Sequence, residues 1–145
     1  MPEGKLARIL VPMDASEGAG RAAAFAVKLA EITGADVDVL HVTYFDKDTD
    51  AEEESWLPDS IAGSMGDEEQ AALKMAEKYI PDGFAYEYHQ RTGTPVEAIL
   101  QFCEEGGHDC IVVGGRGLGV MEGLIFGSVS QELIERAKVS VVVVK

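Results

Sequence analysis

The chain has 145 residues, 46% of them hydrophobic, and carries 26 acidic against 12 basic side chains for a formal net charge of −14. That length suits a single domain with a sizeable core, and the apolar share excludes a disordered chain. The negative field repels nucleic-acid phosphates and anionic membranes, no apolar run approaches the ~18–20 residues of a membrane span, and the opening MPEGKLARIL lacks the regions of a secretory signal, so the expectation is a cytoplasmic protein with neither nucleic acid nor membrane as partner.

Residues 6–11 (LARILV) are a short run of branched apolar side chains and read as a buried strand. Pro12, Met13, Asp14 and Ala15 read as a turn, with Ser16 as helix N-cap and Glu17 in the first turn. Ala22, Phe25, Ala26, Leu29 and Ala30 then recur at helical spacing, and Gly34 stands where a left-handed C-cap belongs. Residues 37–42 (VDVLHV) form the second expected strand, and the short connections imply a right-handed parallel crossover. Residues 44–66 lack a sustained period, are rich in acids and are broken by Pro58. They read as a long, solvated acidic loop, with Trp56 expected to pack on this domain or on a partner.

Residues 67–80 (DEEQAALKMAEKYI) read as a helix whose apolar side is Ala71, Ala72, Leu73, Met75, Ala76 and Tyr79, stopped by Pro81, Asp82 and Gly83. Residues 84–90 (FAYEYHQ) alternate as a half-buried third strand would. Thr94, Pro95 and Glu97 spell a helix start with a capping box, and Gly106-Gly107 ends that helix. A fourth strand over 109–113, a helix near 128–137 and a fifth strand over 139–144 complete the chain. Strands alternating with helices define an α/β domain: an open five-stranded parallel sheet with helices on both faces. Such sheets bind ligands beyond the C-terminal strand ends, where strand order reverses. Pro12, Met13, Asp14, the strand end at Val42 and the stretch from Gly114 onward are therefore expected to converge on one crevice.

The glycine-rich stretch suits a phosphate, because glycine lets backbone N–H groups approach an anion and a following helix adds its dipole. Two common signatures fail. Gly114 and Gly119 have Walker-loop spacing, but Val120 stands where the lysine belongs, and it also fills the third glycine position of a dinucleotide fingerprint begun at Gly115 and Gly117. Cys103, His108 and Cys110 have the form C-x4-H-x-C, yet no second cluster completes a zinc site, so two small buried or semi-buried thiols are expected and no metal ligand is assigned. No Ser-His-Asp constellation or paired carboxylates stand out, and no catalytic residue is assigned.

The pattern Gly114-x2-Gly117-x9-Gly127-Ser128 resembles the nucleotide-binding signature of the universal stress proteins, Gly-x2-Gly-x9-Gly-Ser/Thr. Residues 8–16 (RILVPMDAS) resemble the family's opening strand and Pro-x-Asp turn, Leu40-His41-Val42 its second strand end, Gly93-Thr94-Pro95 its Gly-x-Pro helix entry, and 139–145 its last strand. The likeness spans 1–145 as one domain, with 44–66 its least family-like part. It implies a Rossmann-like sheet of the adenine nucleotide alpha hydrolase-like type. It also implies ATP, with Mg2+ or Mn2+, as ligand: Pro12, Met13, Asp14 and Val42 at the adenosine, Gly114 beneath the ribose, and Gly115, Arg116, Gly117, Gly127, Ser128, Val129 and Ser130 at the phosphates. A homodimer through 139–144 is implied as well, and a role as nucleotide-dependent sensor or regulator in stress response, with slow hydrolysis at most. An ATP-hydrolysing or adenylyl-transferring enzyme of the same fold and a nucleotide-free interaction module remain as other readings. The regulated protein partner is not legible.

Overall fold

A computed structural model describes residues 6–44, 59–115 and 127–145. In them strands and helices alternate: β1 (Arg8–Met13), α1 (Glu17–Thr33), β2 (Asp36–Tyr44), α2 (Asp59–Tyr79), β3 (Glu87–Gly93), α3 (Pro95–Gly106), β4 (Cys110–Gly114), α4 (Ser128–Arg136) and β5 (Ser140–Val144). The five strands make one sheet in the order β3-β2-β1-β4-β5, with every pair parallel. This is the expected α/β sheet, and its strand order reverses between β1 and β4.

Because side chains alternate across a strand, the apolar runs split into two cores. Ile9, Val11, Val37, Val39, Cys110 and Val112 face α1 and α2. Leu10, Leu40, Ile111 and Val113 face α3 and α4, where Val96, Ile99, Phe102 and Leu133 meet them. Cys103 and Cys110 are free, buried thiols belonging to different cores, so the C-x4-H-x-C spacing does not bring them together.

Several local readings shift. α1 buries Ala19, Ala22, Ala23, Ala26, Val27 and Ala30, whereas Phe25 is 38% exposed, so the apolar stripe is rotated from the expected one. Close packing is the cause. A Cβ on Gly114 would lie 2.5 Å from the Gly18 carbonyl carbon, and one on Gly20 would lie 2.2 Å from the Tyr79 ring, so only small residues fit where α1 meets β4 and α2. α2 begins at Asp59, eight residues before the expected start, and turns 59–66 from loop into helix. Gly63 and Gly66 disguise that helix, although an interior glycine costs only about 1 kcal/mol against alanine. The rest of the acidic stretch, 45–58 with Trp56, lies outside the described residues.

β3 runs three residues later than expected. Its polar half, Gln90, Arg91 and Thr92, pairs with β2 at the sheet edge, where hydrophobic alternation gives no signal. Thr94 and Pro95 do start α3, but no side-chain cap bond forms, and Glu97 pairs with Arg136 of α4 at 2.6 Å instead of closing a capping box.

Pro12 and Met13, read as a turn, are the last residues of β1, registered against Leu40 and His41. A central strand admits a proline only where no ladder partner needs its N–H. The Ala7 carbonyl accepts from Asp36 ahead of β2, and the Arg8 carbonyl accepts from Asp109 ahead of β4. Alternation therefore aims Pro12 toward β4, where registered pairing stops at Leu10–Ile111. β1 and β4 separate just beyond that pair, which opens the crevice at the reversal of strand order.

Candidate functional site

The crevice has two walls. On the β1 side, Asp14 accepts a 2.8 Å hydrogen bond from the Ser16 N–H, and Ser16 Oγ accepts one from the Ala19 N–H at 3.1 Å. Ser16 is thus the N-cap of α1, as expected, and the linked turn fixes Asp14 at the mouth. On the β4 side, Gly114 must be glycine because α1 rests directly on it. The Gly115 N–H donates to the Val144 carbonyl, and the Gly127 N–H donates to the Gly115 carbonyl. The two glycine corners, separated in sequence by 116–126, meet at the end of β4.

α4 starts there. Its N-cap, Gly127, has no side chain to cap with, and the first turn carries no acid. The Gln131 N–H donates to the Gly127 carbonyl, and Ser130 Oγ, though buried, donates to the same carbonyl. Neither satisfies the N–H groups of Ser128, Val129 and Ser130, which are the orphan donors of a helix start and carry the positive end of its dipole. They open on a cleft of about 220 Å³ lined by Pro12, Met13, Asp14, Val42, Gly114, Gly127, Ser128, Val129 and Ser130. The expected halves of the site therefore share one cavity. Gly115 is buried and does not line the cleft, and Arg116 and Gly117 lie outside the described residues.

Ser16, Ala19, Leu40, Pro95, Ile99 and Val113 also line the cleft, and none of them is among the expected site residues. The signal for Pro95 was present in Gly93-Thr94-Pro95: a helix entered at the strand ends must put its first turn near the crevice. Ile99 follows one turn later on the same face.

A second polar group went unread. Asp38 of β2 is 3% exposed and sits near the opposite, N-terminal end of the strands. His108 Nε2 and Arg8 Nη2 each lie 2.6 Å from Asp38 Oδ2, and His89 Nε2 lies 3.2 Å from Oδ1. Burial pushes the Asp38 carboxyl up, and the hydrogen bonds from His108, Arg8 and His89 outweigh it and hold it below the usual carboxylate range. Arg8 also donates to the Gly106 carbonyl, at the end of α3. The clue was an acid inside the apolar run VDVLHV, since a buried carboxylate requires partners.

His41, on the α2 side of β2, is buried, and its Nδ1 has no hydrogen-bond partner among the described residues. Burial holds its pKa below the usual histidine value, against the raising effect of Glu69, Glu68 and Asp14. Among the described residues no helix is long and apolar enough to cross a membrane.

Comparison with known proteins adds the following. The family model described as "Universal stress protein family" matches residues 5–145. The universal stress protein MJ0531 of Methanocaldococcus jannaschii is 30% identical over 140 residues, covering 95% of this chain and 81% of its own. The structure of universal stress protein UspA from Lactobacillus plantarum superposes with a TM-score of 0.74 at 22% identity, covering 99% of this chain and 100% of that one. Two further likenesses in fold were solved with a ligand. A universal stress protein in complex with cAMP has a TM-score of 0.66 at 21% identity, covering 98% of each chain. One from Archaeoglobus fulgidus in complex with dAMP has a TM-score of 0.61 at 22% identity, covering 96% of this chain and 98% of that one.

Proposed function

The chain belongs to the universal stress protein family, and from that premise we propose that it binds ATP in the crevice between β1 and β4 and acts as a nucleotide-dependent sensor or regulator. One observation carries the reading: the start of α4, without a side-chain cap among the described residues, opens on the same cleft as Asp14, Met13 and Val42. An anion is favoured at orphan N–H groups by hydrogen bonding and by the helix dipole together. With a net charge of −14 opposing it, the phosphate depends on this local field.

In this reading Pro12, Met13 and Val42 form an apolar seat for the base, and Asp14 accepts a hydrogen bond from the nucleoside. Gly114 and Gly115 let the chain pass close to the sugar and first phosphate, and Gly127, Ser128, Val129 and Ser130 receive the outer phosphates. Arg116 and Gly117, in the same signature, complete the phosphate loop. Mg2+ or Mn2+ is taken chiefly by the phosphates, as such hard ions prefer oxygen ligands. The fold-sharing complexes with cAMP and dAMP support an adenine ligand. Twinning of β5 across a two-fold axis, making a homodimer, belongs to the same proposal: β5 is a sheet edge of four valines, and an edge of that kind invites pairing.

Calorimetric titration with ATP, ADP and AMP in the presence of Mg2+ tests the assignment. Saturable binding that strengthens with phosphate number is expected. Absence of binding by any of the three would overturn it.

A further inference from the structure

We propose that Asp38, Glu87 and His89 form a second ligand site, a centre for one divalent cation of the zinc class, at the end of the sheet opposite the crevice. Glu87 and His89 are two residues apart on β3 and so point to one face, and Asp38 stands directly opposite Glu87 in the β2–β3 register. Their ligand atoms converge. His89 Nε2 is 3.2 Å from Asp38 Oδ1 and 3.4 Å from Glu87 Oε2, and all three atoms lie within 4.8 Å of one another. A tetrahedral ion with bonds of about 2.0–2.1 Å spaces its ligand atoms about 3.3–3.4 Å apart. The nitrogen therefore already sits at ligand spacing from both oxygens.

The surroundings fix this arrangement. Asp38 Oδ2 is engaged by His108 and Arg8, which leaves Oδ1 turned to the cluster and holds the carboxylate in orientation, as supporting hydrogen bonds do around metal ligands. The His89 ring packs on Phe102 with centroids 4.8 Å apart, His108 stacks on Phe102 at 5.6 Å, and Arg91 lies over Phe102 at 5.0 Å. Access is one-sided: the side chains of Asp38, His89 and Glu87 are 4%, 27% and 76% exposed, so a fourth position faces water. Arg8 offsets one of the two converging carboxylates, and the negative charge that remains favours a cation. One nitrogen with two carboxylate oxygens suits zinc-class ions, whereas Mg2+ and Ca2+ favour six or more oxygens. Bound there, the ion ties edge strand β3 to β2.

The competing account of the same distances is a histidine shared by hydrogen bonds between two carboxylates, with no ion. Untagged full-length protein titrated with Zn2+ in a calorimeter, and with Co2+ in a visible spectrophotometer, separates the two. The expected result is one ion per chain and the visible bands of four-coordinate Co2+, with affinity reduced at least tenfold in His89→Gln and in Glu87→Gln. Glu87 is exposed, so Glu87→Gln retains the fold, and far-UV circular dichroism verifies this. Mg2+ in excess should not displace the ion. Absence of Co2+ bands, or Zn2+ affinity unchanged in both variants, would overturn the site.

Discussion

The two ends of one sheet treat polar groups in opposite ways. At the N-terminal end, Asp38 is buried and surrounded by His108, Arg8 and His89. At the C-terminal end, the start of α4 presents N–H groups that have no partner among the described residues, beside a cleft that β1 and β4 make by separating. Parallel topology produces the contrast, since crossovers bring helix starts to the C-terminal strand ends and helix ends to the other. Damage at the first end should therefore appear as lost stability, and damage at the second as lost affinity.

The largest expected effect is Asp38→Ala. It strands the fully buried His108 and the partly exposed Arg8 without their carboxylate, and breaking a buried pair costs about 3–5 kcal/mol. Urea unfolding should show that loss while the protein remaining folded binds nucleotide as before. An equal loss of affinity would dissolve the division between the ends. Gly114→Ala should be next, because the new Cβ meets backbone, which cannot swing aside. Overpacking of that kind costs about 1–3 kcal/mol, and here affinity should fall too, since α1 and the cleft shift together.

Ser128→Pro isolates the second end. Position N1 of a helix accepts proline, and Gly127 before it is extended at φ −70 and ψ 161, as a residue preceding proline should be. The change removes one N–H and one hydroxyl from the cleft while leaving stability within about 0.5 kcal/mol. Titration calorimetry should show ATP binding weakened about tenfold, which equals about 1.4 kcal/mol. Unchanged affinity would show that α4 does not hold the phosphates.

The smallest effect concerns His41. Its folded pKa lies below the ordinary histidine value of 6.5, so the unfolded chain takes up a proton first as pH falls. Its penalty is absent above pH 6.5 and grows as pH drops from 6.5 toward the folded value. Thermal melts at pH 7.5 and 5.5 should differ more for the wild-type chain than for His41→Gln. An equal difference would show that His41 contributes nothing to the acid sensitivity.

Sequence reasoning reached the parts of this molecule that depend on local chemistry. The branched apolar runs mark β1, β2, β4 and β5, Ser16 and Gly34 mark the ends of α1, and the stretch from Gly114 to Ser128 contains the two glycine corners that meet at the end of β4. What escaped it depends on partners far along the chain. Phe25 has helical spacing with Ala22 and Leu29, but the contacts at Gly114 and Tyr79 turn it outward. Glu97 fits a capping box until Arg136 arrives from α4. Asp38 reads as the polar partner in an alternating strand, and only the fold brings Arg8, His89 and His108 to it from three other segments. The glycines of 59–66 conceal the start of α2 because their cost is small beside that of starting a new helix.

The central claim, an adenine-nucleotide crevice between β1 and β4, is tested most directly by what the purified protein carries. Protein denatured by heat and its supernatant resolved by anion exchange should release an adenine nucleotide from the wild-type chain and markedly less from Ser128→Pro. A blank from the wild-type chain, with no uptake when it is incubated with ATP and Mg2+, would contradict the account.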